Sequence, residues 1–269
     1  MIHSFDTTLN DVANYFDELD TFYQSKWGID LHHGLWISGK EKKDEASRNL
    51  SEKVLTYLGD LSHKRIFDIG CGYGTTTILA AERGAKSVTG MTLSTRQFQF
   101  ARKTHQHENV NFILGDWLQN TLPNSSADGA LSIECFSHIN KKKKFFDEIY
   151  RTLKPGSRLV MTSMLTSRSP GQLNRKMILR PICEENRLPS LCDRKEIIEL
   201  ASSSGLEFIE HVDLSHKVWR TWLITLKELF GLILNTERKE RTFALSILRI
   251  ISGYKTGCIR YGLFVFRKP

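Results

Sequence analysis

Short apolar runs alternate with amphipathic stretches through the centre of the chain. Residues 65–69, 87–91, 110–114, 127–133 and 158–163 have the length and apolar density of buried strands, whereas 75–83, 95–107 and 143–153 repeat apolar positions at helical steps. Strand and helix in strict alternation predict a mainly parallel sheet with helices on both faces. Pro155-Gly156 reads as the turn that ends a helix ahead of the fifth strand. A further helix is predicted at 196–204, a sixth strand at 206–213 and a closing strand at 258–266. About forty residues separate those last two strands, too many for a hairpin, and they hold two amphipathic stretches, 219–234 and 241–251. A helical insertion at about 215–255 is therefore expected to cap a pocket. Ahead of the sheet, Val12, Tyr15, Phe16, Leu19, Phe22 and Tyr23 place one aromatic face on a helix over 11–23, and a second helix is expected at 45–58. The expected architecture is α/β: a doubly wound, mostly parallel seven-stranded sheet in residues 61–269, preceded by an N-terminal helical lid in 1–60.

Composition narrows the partners. With 269 residues, 40% of them hydrophobic, the chain can bury one substantial core. No apolar run reaches the 18 or so residues of a membrane span and the first residues do not read as a secretory signal, so a cytoplasmic protein without stable membrane insertion is expected. A net charge of +8 raises the question of nucleic acid, but no nucleic-acid module is recognisable, and Lys141-Lys142-Lys143-Lys144 reads as a solvated helix face. A basic rim that attracts a phosphorylated or carboxylated small molecule is the other use of that charge. Five cysteines without a C-x-x-C pair point to free thiols, and the adjacent His32 and His33 lack the partner spacing of a metal site, so no metal is expected. Oligomeric state is left open.

The candidate chemistry begins at residues 66–77, which read I-F-D-I-G-C-G-Y-G-T-T-T. A strand stops at a glycine-rich turn and a helix follows, which is how a backbone is brought close to a ligand. A phosphate-cradling P-loop would need Lys followed by Ser or Thr after the last glycine, and Tyr73-Gly74-Thr75 has neither. A dinucleotide site would need an acid about 20 residues on, where the chain reads Thr89-Gly90-Met91-Thr92-Leu93-Ser94. What remains is D-x-G-x-G-x-G.

That form resembles the first motif of the class I S-adenosylmethionine-dependent methyltransferases, a Rossmann-like family. Three later segments extend the resemblance to its tocopherol methyltransferase and cyclopropane synthase group. They are the G-x-T-L-S-x-x-Q pattern from Gly90 to Gln97, an L-H-H-G-x-W pattern from Leu31 to Trp36, and Ser132-Ile133-Glu134-Cys135-Phe136-Ser137-His138, which is similar to S-M-E-S-x-E-H but with Ser137 at the second acid. The resemblance implies S-adenosylmethionine as cofactor. It would be held by Asp68, Gly70, Cys71, Gly72 and Gly74 after the first strand, by Thr92, Leu93 and Gln97 after the second, by Asp116 and Trp117 after the third and by Ile133 at the fourth. Trp117 can equally be an ordinary core residue.

Methyl transfer asks the protein mainly to hold the acceptor dry and in line. Glu134 or His138 can take a proton from the acceptor. Tyr23, Trp27, His33, Trp36, Phe136 and Trp222 are candidates to surround it, against the alternative that most of these rings are packing. The expected reaction is methylation of a small, largely apolar natural product or isoprenoid, with carbon favoured and Glu134 as base. Methylation of oxygen or nitrogen on a small aromatic or alkaloid-type metabolite stands beside it, as does a scaffold that binds cofactor without turnover. A nucleic-acid methyltransferase would show an N-P-P-Y-type clamp where this chain has Ile-Glu-Cys-Phe.

Overall fold

The computed structural model describes residues 2–3, 7–230 and 238–269. Its frame is a seven-stranded sheet: β1 Arg65–Ile69, β2 Ser87–Thr92, β3 Val110–Leu114, β4 Ala127–Ile133, β5 Leu153–Thr166, β6 Glu207–Asp213 and β7 Ile259–Arg267, in the spatial order β3-β2-β1-β4-β5-β7-β6. All pairings are parallel except those of β7, which runs antiparallel to β5 and β6. The order reverses between β1 and β4, so the carboxyl ends of β1 to β4 open one crevice.

The helices that position this crevice are α1 Leu9–Glu18, α2 Lys43–Leu58, α3 Thr75–Glu82, α4 Thr95–Thr104, α5 Lys142–Thr152, α6 Arg194–Ser203, α7 Arg220–Phe230 and α8 Arg238–Thr256. Alternate strand residues face opposite sides of the sheet, as a period of two requires. Phe67, Leu159, Met161 and Phe264 pack toward Phe145, Phe146 and Ile149 of α5, while Ile66, Val160, Leu263 and Val265 pack toward Leu50, Val54 and Leu55 of α2. A third cluster, around Ile259 at the start of β7, joins Tyr23 and Trp27 to Ile178, Leu179 and Ile182, to Trp222 of α7 and to Ile247 and Ile250 of α8.

Three expectations change. The first helix starts at Leu9 because Thr8 forms a reciprocal cap with Asp11, and it continues past Glu18 as one turn and a π-helical turn, Tyr23–Trp27. Pro155-Gly156 is no helix-ending turn but a bulge inside the long β5. Pairing with β4 jumps there from Ala127–Leu153 to Gly129–Arg158, and Gly156 takes φ +79°. The expected insertion between β6 and β7 is helical as α7 and α8, with α8 reaching beyond 241–251 at both ends; residues 231–234 of the expected first stretch lie outside the described residues. A second insertion, between β5 and α6, was not expected: Arg175–Leu179 is π-helical and Arg180–Glu185 α-helical.

Candidate active site

A cavity opens at the carboxyl ends of β1 to β4 and runs under the N-terminal segment. Its floor is built from the strand-end loops. Asp68 is 2% exposed, and its Oδ2 accepts a hydrogen bond from Thr77 Oγ1 at 2.7 Å while Oδ1 has no partner among the described residues. Burial pushes its carboxyl up to about 6, against the Thr77 hydrogen bond and the charge of His32. Gly70, Cys71 and Gly72 line the cavity beside it. At Gly72 the backbone takes φ +56°, and an added Cβ would meet nothing within 4 Å, so the turn leaves open space in front of its main chain.

After β2, Thr92 Oγ1 donates to Gln97 Oε1 at 2.9 Å and Ser94 caps α4 by accepting from the Gln97 N–H. The Gln97 amide N–H₂ is thereby left to the cavity that Thr92, Leu93 and Gln97 line. After β3, Asp116 accepts from the Leu118 N–H at 2.8 Å and fixes the turn Trp117–Gln119. Trp117 borders the cavity while its Nε1 donates to the Phe145 carbonyl at 3.3 Å, so it serves core and cavity together. Ile133 also lines the wall. Cys71 and Cys135 are inert thiols: burial pushes the first well up and the second to about 12.

Glu134 sits at the end of β4 with φ +58°, a conformation that costs a non-glycine residue free energy and is retained where the surroundings over-determine it. Its Oε1 accepts from the His33 N–H at 2.7 Å and lies 2.8 Å from His33 Nδ1 and 2.7 Å from Tyr261 Oη. Trp222 Nε1, which can only donate, lies 2.6 Å from His33 Nε2, so the network assigns the lone pair to Nε2 and the proton to Nδ1. His33 is thus a neutral ring with both nitrogens committed, Tyr254 Oη being a further neighbour of Nε2 at 3.0 Å. Burial opposes ionisation of Glu134, but the hydrogen bonds from the His33 ring and N–H, with His32 beside them, outweigh it and hold the carboxyl below its ordinary range. Oε2 makes no hydrogen bond to the described residues.

His138 is differently placed. It closes the turn Phe136–His138, its ring meets Phe16 edge-on at 5.2 Å, and its Nδ1 is buried with no partner. Burial first, then the charge of Lys142, push it down to about 4, against the main chain of Arg187 and Glu134. Lys142, expected on a solvated face, is 4% exposed: its Nζ donates to the Phe136 and Ile139 carbonyls at 2.8 and 2.9 Å and lies over the Phe136 ring.

The other sequence-predicted residues divide. Tyr23, Trp27, His33 and Trp222 line the cavity. Gly74 does not; it takes φ +88° to cap α3, and a Cβ there would run into the Phe112 ring. Trp36 is buried away from the cavity with its Nε1 on Thr221 Oγ1, and Phe136 packs between Phe145 and Phe146. Asn186 and Leu188 of the second insertion also reach the cavity, as do Tyr15, Phe16 and Met164. The signal for that insertion was present as Ile178-Leu179 and Ile182-Cys183, two apolar pairs four residues apart.

An unpaired carboxylate oxygen at Asp68, open space before Gly72 and a free amide at Gln97 suit a ligand bearing a cation, a carboxylate and a ribose, as S-adenosylmethionine does. Residues 67–161 match the family model described as a methyltransferase domain. The chain is an S-adenosylmethionine-dependent methyltransferase. S-adenosylmethionine is the cofactor of this methyltransferase. It is 27% identical to a probable chloroplastic tocopherol O-methyltransferase of Oryza sativa subsp. japonica, covering 96% of this chain and 78% of the relative. Its fold is that of the cyclopropane synthase MmaA2 from Mycobacterium tuberculosis, with a TM-score of 0.85 at 20% identity over 97% and 98% of the two chains. It is also that of a geranyl diphosphate C-methyltransferase from Streptomyces coelicolor A3(2), solved with Mg²⁺, geranyl diphosphate and S-adenosyl-L-homocysteine, at a TM-score of 0.75 and 18% identity over 97% of each chain. No described helix is long and apolar enough to cross a membrane, and among the described residues no cluster of three His, Cys, Asp or Glu side chains is placed to hold a metal.

Proposed function

We propose that the methyltransferase acts on a hydroxyl group of a small, largely apolar acceptor, an isoprenoid or another natural product, with His138 taking the proton. One observation carries the reading: a single cavity joins the strand-end loops bearing Asp68, Gly72 and Gln97 to an apolar chamber of Phe16, Leu31, Met164, Trp222 and Ile250. In this reading Asp68, the main chain after β1, Gln97 and Asp116 hold the cofactor, and the N-terminal segment is the lid over the acceptor. Bound S-adenosylmethionine supplies a methyl group already activated on a sulfonium. The remaining task is to orient the acceptor, exclude water and remove a proton.

His138 is the better placed base for a hydroxyl. Its ring, pushed down to about 4 by burial, is uncharged near neutral pH and its Nδ1 is unpartnered, whereas Glu134 spends Oε1 on His33 and Tyr261. A second reading, methylation at carbon, is favoured by the unpaired Oε2 of Glu134 beside aromatic faces. A carbocation is so acidic that even a weakly basic carboxylate can take its proton.

The test is mass spectrometry of methylated products from prenyl alcohols, phenols, alkenes and amines, with His138→Ala and Glu134→Gln beside the parent. Loss of about 10²–10⁴-fold in rate on hydroxyl acceptors in His138→Ala, with cofactor affinity unchanged, is the expected outcome. Turnover of alkenes that depends on Glu134 and ignores His138 would transfer the assignment to carbon. Methylation of amines alone would sink both.

A further inference from the structure

We infer that the acceptor chamber of the cavity takes molecules without an anionic group and rejects phosphorylated or carboxylated ones. This rests on the methyltransferase reading of the cavity and names its substrate class. The side chains that can carry negative charge into the cavity are Asp30, Asp68, Asp116 and Glu134, whereas among the described residues no Lys or Arg lines it. Of the nearby cations, Lys142 is spent on main-chain carbonyls and Lys43 on Glu228 and the face of Trp27, while Arg187, between the lining residues Asn186 and Leu188, acts on Asp11 and Tyr15 without itself lining the cavity.

The histidines do not replace them. His33 is neutral and fully committed. His138 stays uncharged unless the solution is acidic. His32 has Nδ1 2.9 Å from the His33 carbonyl oxygen and Nε2 3.3 Å from Ser51 Oγ and 3.9 Å from the Asp30 carboxylate, so its charge is already faced by Asp30 as well as by Asp68 and Glu134. What the chamber offers for recognition is uncharged: Tyr15 Oη lies 3.3 Å from Asn186 Oδ1 and 3.2 Å from Tyr23 Oη, a pattern suited to a hydroxyl or carbonyl.

A phosphate seated here would lose its water beside Glu134 and Asp68 with no cation to pair with, and no metal-binding cluster among the described residues could bridge the repulsion. A positive charge meets the opposite conditions, carboxylates and the faces of Trp27 and Trp222. The +8 net charge of the chain thus has no counterpart in the cavity lining, and a basic rim, the alternative use of that charge, does not extend into it.

The experiment is calorimetry on the full chain saturated with S-adenosylhomocysteine, using three probes of one chain length below their micellar concentrations: decanol, decyltrimethylammonium and decyl phosphate. Decanol and the ammonium should bind and decyl phosphate should bind at least about 50-fold more weakly, with or without Mg²⁺. Glu134→Gln should narrow that gap about fivefold by removing the charge while keeping the shape. Decyl phosphate binding as well as decanol overturns the inference, and so does failure of all three probes on a chain that binds S-adenosylhomocysteine. Failure to bind S-adenosylhomocysteine counts against the underlying cofactor assignment instead, so the two failures are told apart.

Discussion

Gly72 and Gly74 separate two uses of glycine that look identical in the sequence. Gly74 is needed because a side chain would strike Phe112, whereas nothing occupies the space before Gly72. Gly72→Ala should therefore weaken S-adenosylhomocysteine binding by tenfold or more, while the φ +56° backbone costs the fold only about 1–2 kcal/mol. Equal affinity by calorimetry in the folded variant would remove Gly72 from the cofactor site. The same limit applies to other single residues. Asp68, Gln97 and Glu134 could be read because motif spacing places them at strand ends, and strand ends converge. Trp36 and Phe136 could not be sorted from Trp27 and Trp222, since an aromatic ring next to a motif looks the same whether it faces a core or a cavity. Lys142 was misread because four consecutive lysines hide the one whose helical phase, shared with Phe146 and Ile149, turns it inward.

At the scale of elements, the N-terminal segment is tied to the cavity floor by three carboxylates. Asp17 accepts from Ser94 Oγ and from the Arg96 N–H at the start of α4, Asp20 accepts from Tyr73 Oη at 2.6 Å, and Asp30 accepts from Thr75 Oγ1. The loops they grip follow β1 and β2, so these bonds must yield if the segment is to lift. Asp17→Ala combined with Asp20→Ala should speed release of S-adenosylhomocysteine about tenfold with little change in melting temperature, measured by stopped-flow displacement. An unchanged release rate would mean that the segment is no gate. The strands and helices of the sheet were legible because burial on two faces imposes long apolar runs and helical periodicity. The insertion at 175–185 was not, because its apolar pairs are too few to stand out until α8 packs on them.

Over the whole molecule, the buried ionisable groups act on stability in opposite directions. His138 has its ring lowered from 6.5 to about 4, so the unfolded chain takes up a proton first; its contribution is complete above 6.5 and is lost as pH falls from 6.5 toward 4. Asp68 is raised from 3.8 to about 6, so the folded chain takes up the proton first and gains stability as pH falls from about 6 toward 4. Glu134, held below its ordinary 4.5, enters at the bottom of that window and costs stability as pH falls further. Between about pH 7 and pH 5 the loss at His138 and the gain at Asp68 should largely offset each other in the parent. His138→Asn removes one side of that balance. Relative to the parent, the variant should gain about 2 kcal/mol between pH 7 and pH 5, whatever the substitution costs in absolute stability, as read from urea denaturation at the two pH values. Parallel stability profiles for parent and variant would mean that His138 titrates as it does in the unfolded chain. The buried uncharged ring on which the choice of base depends would then be excluded.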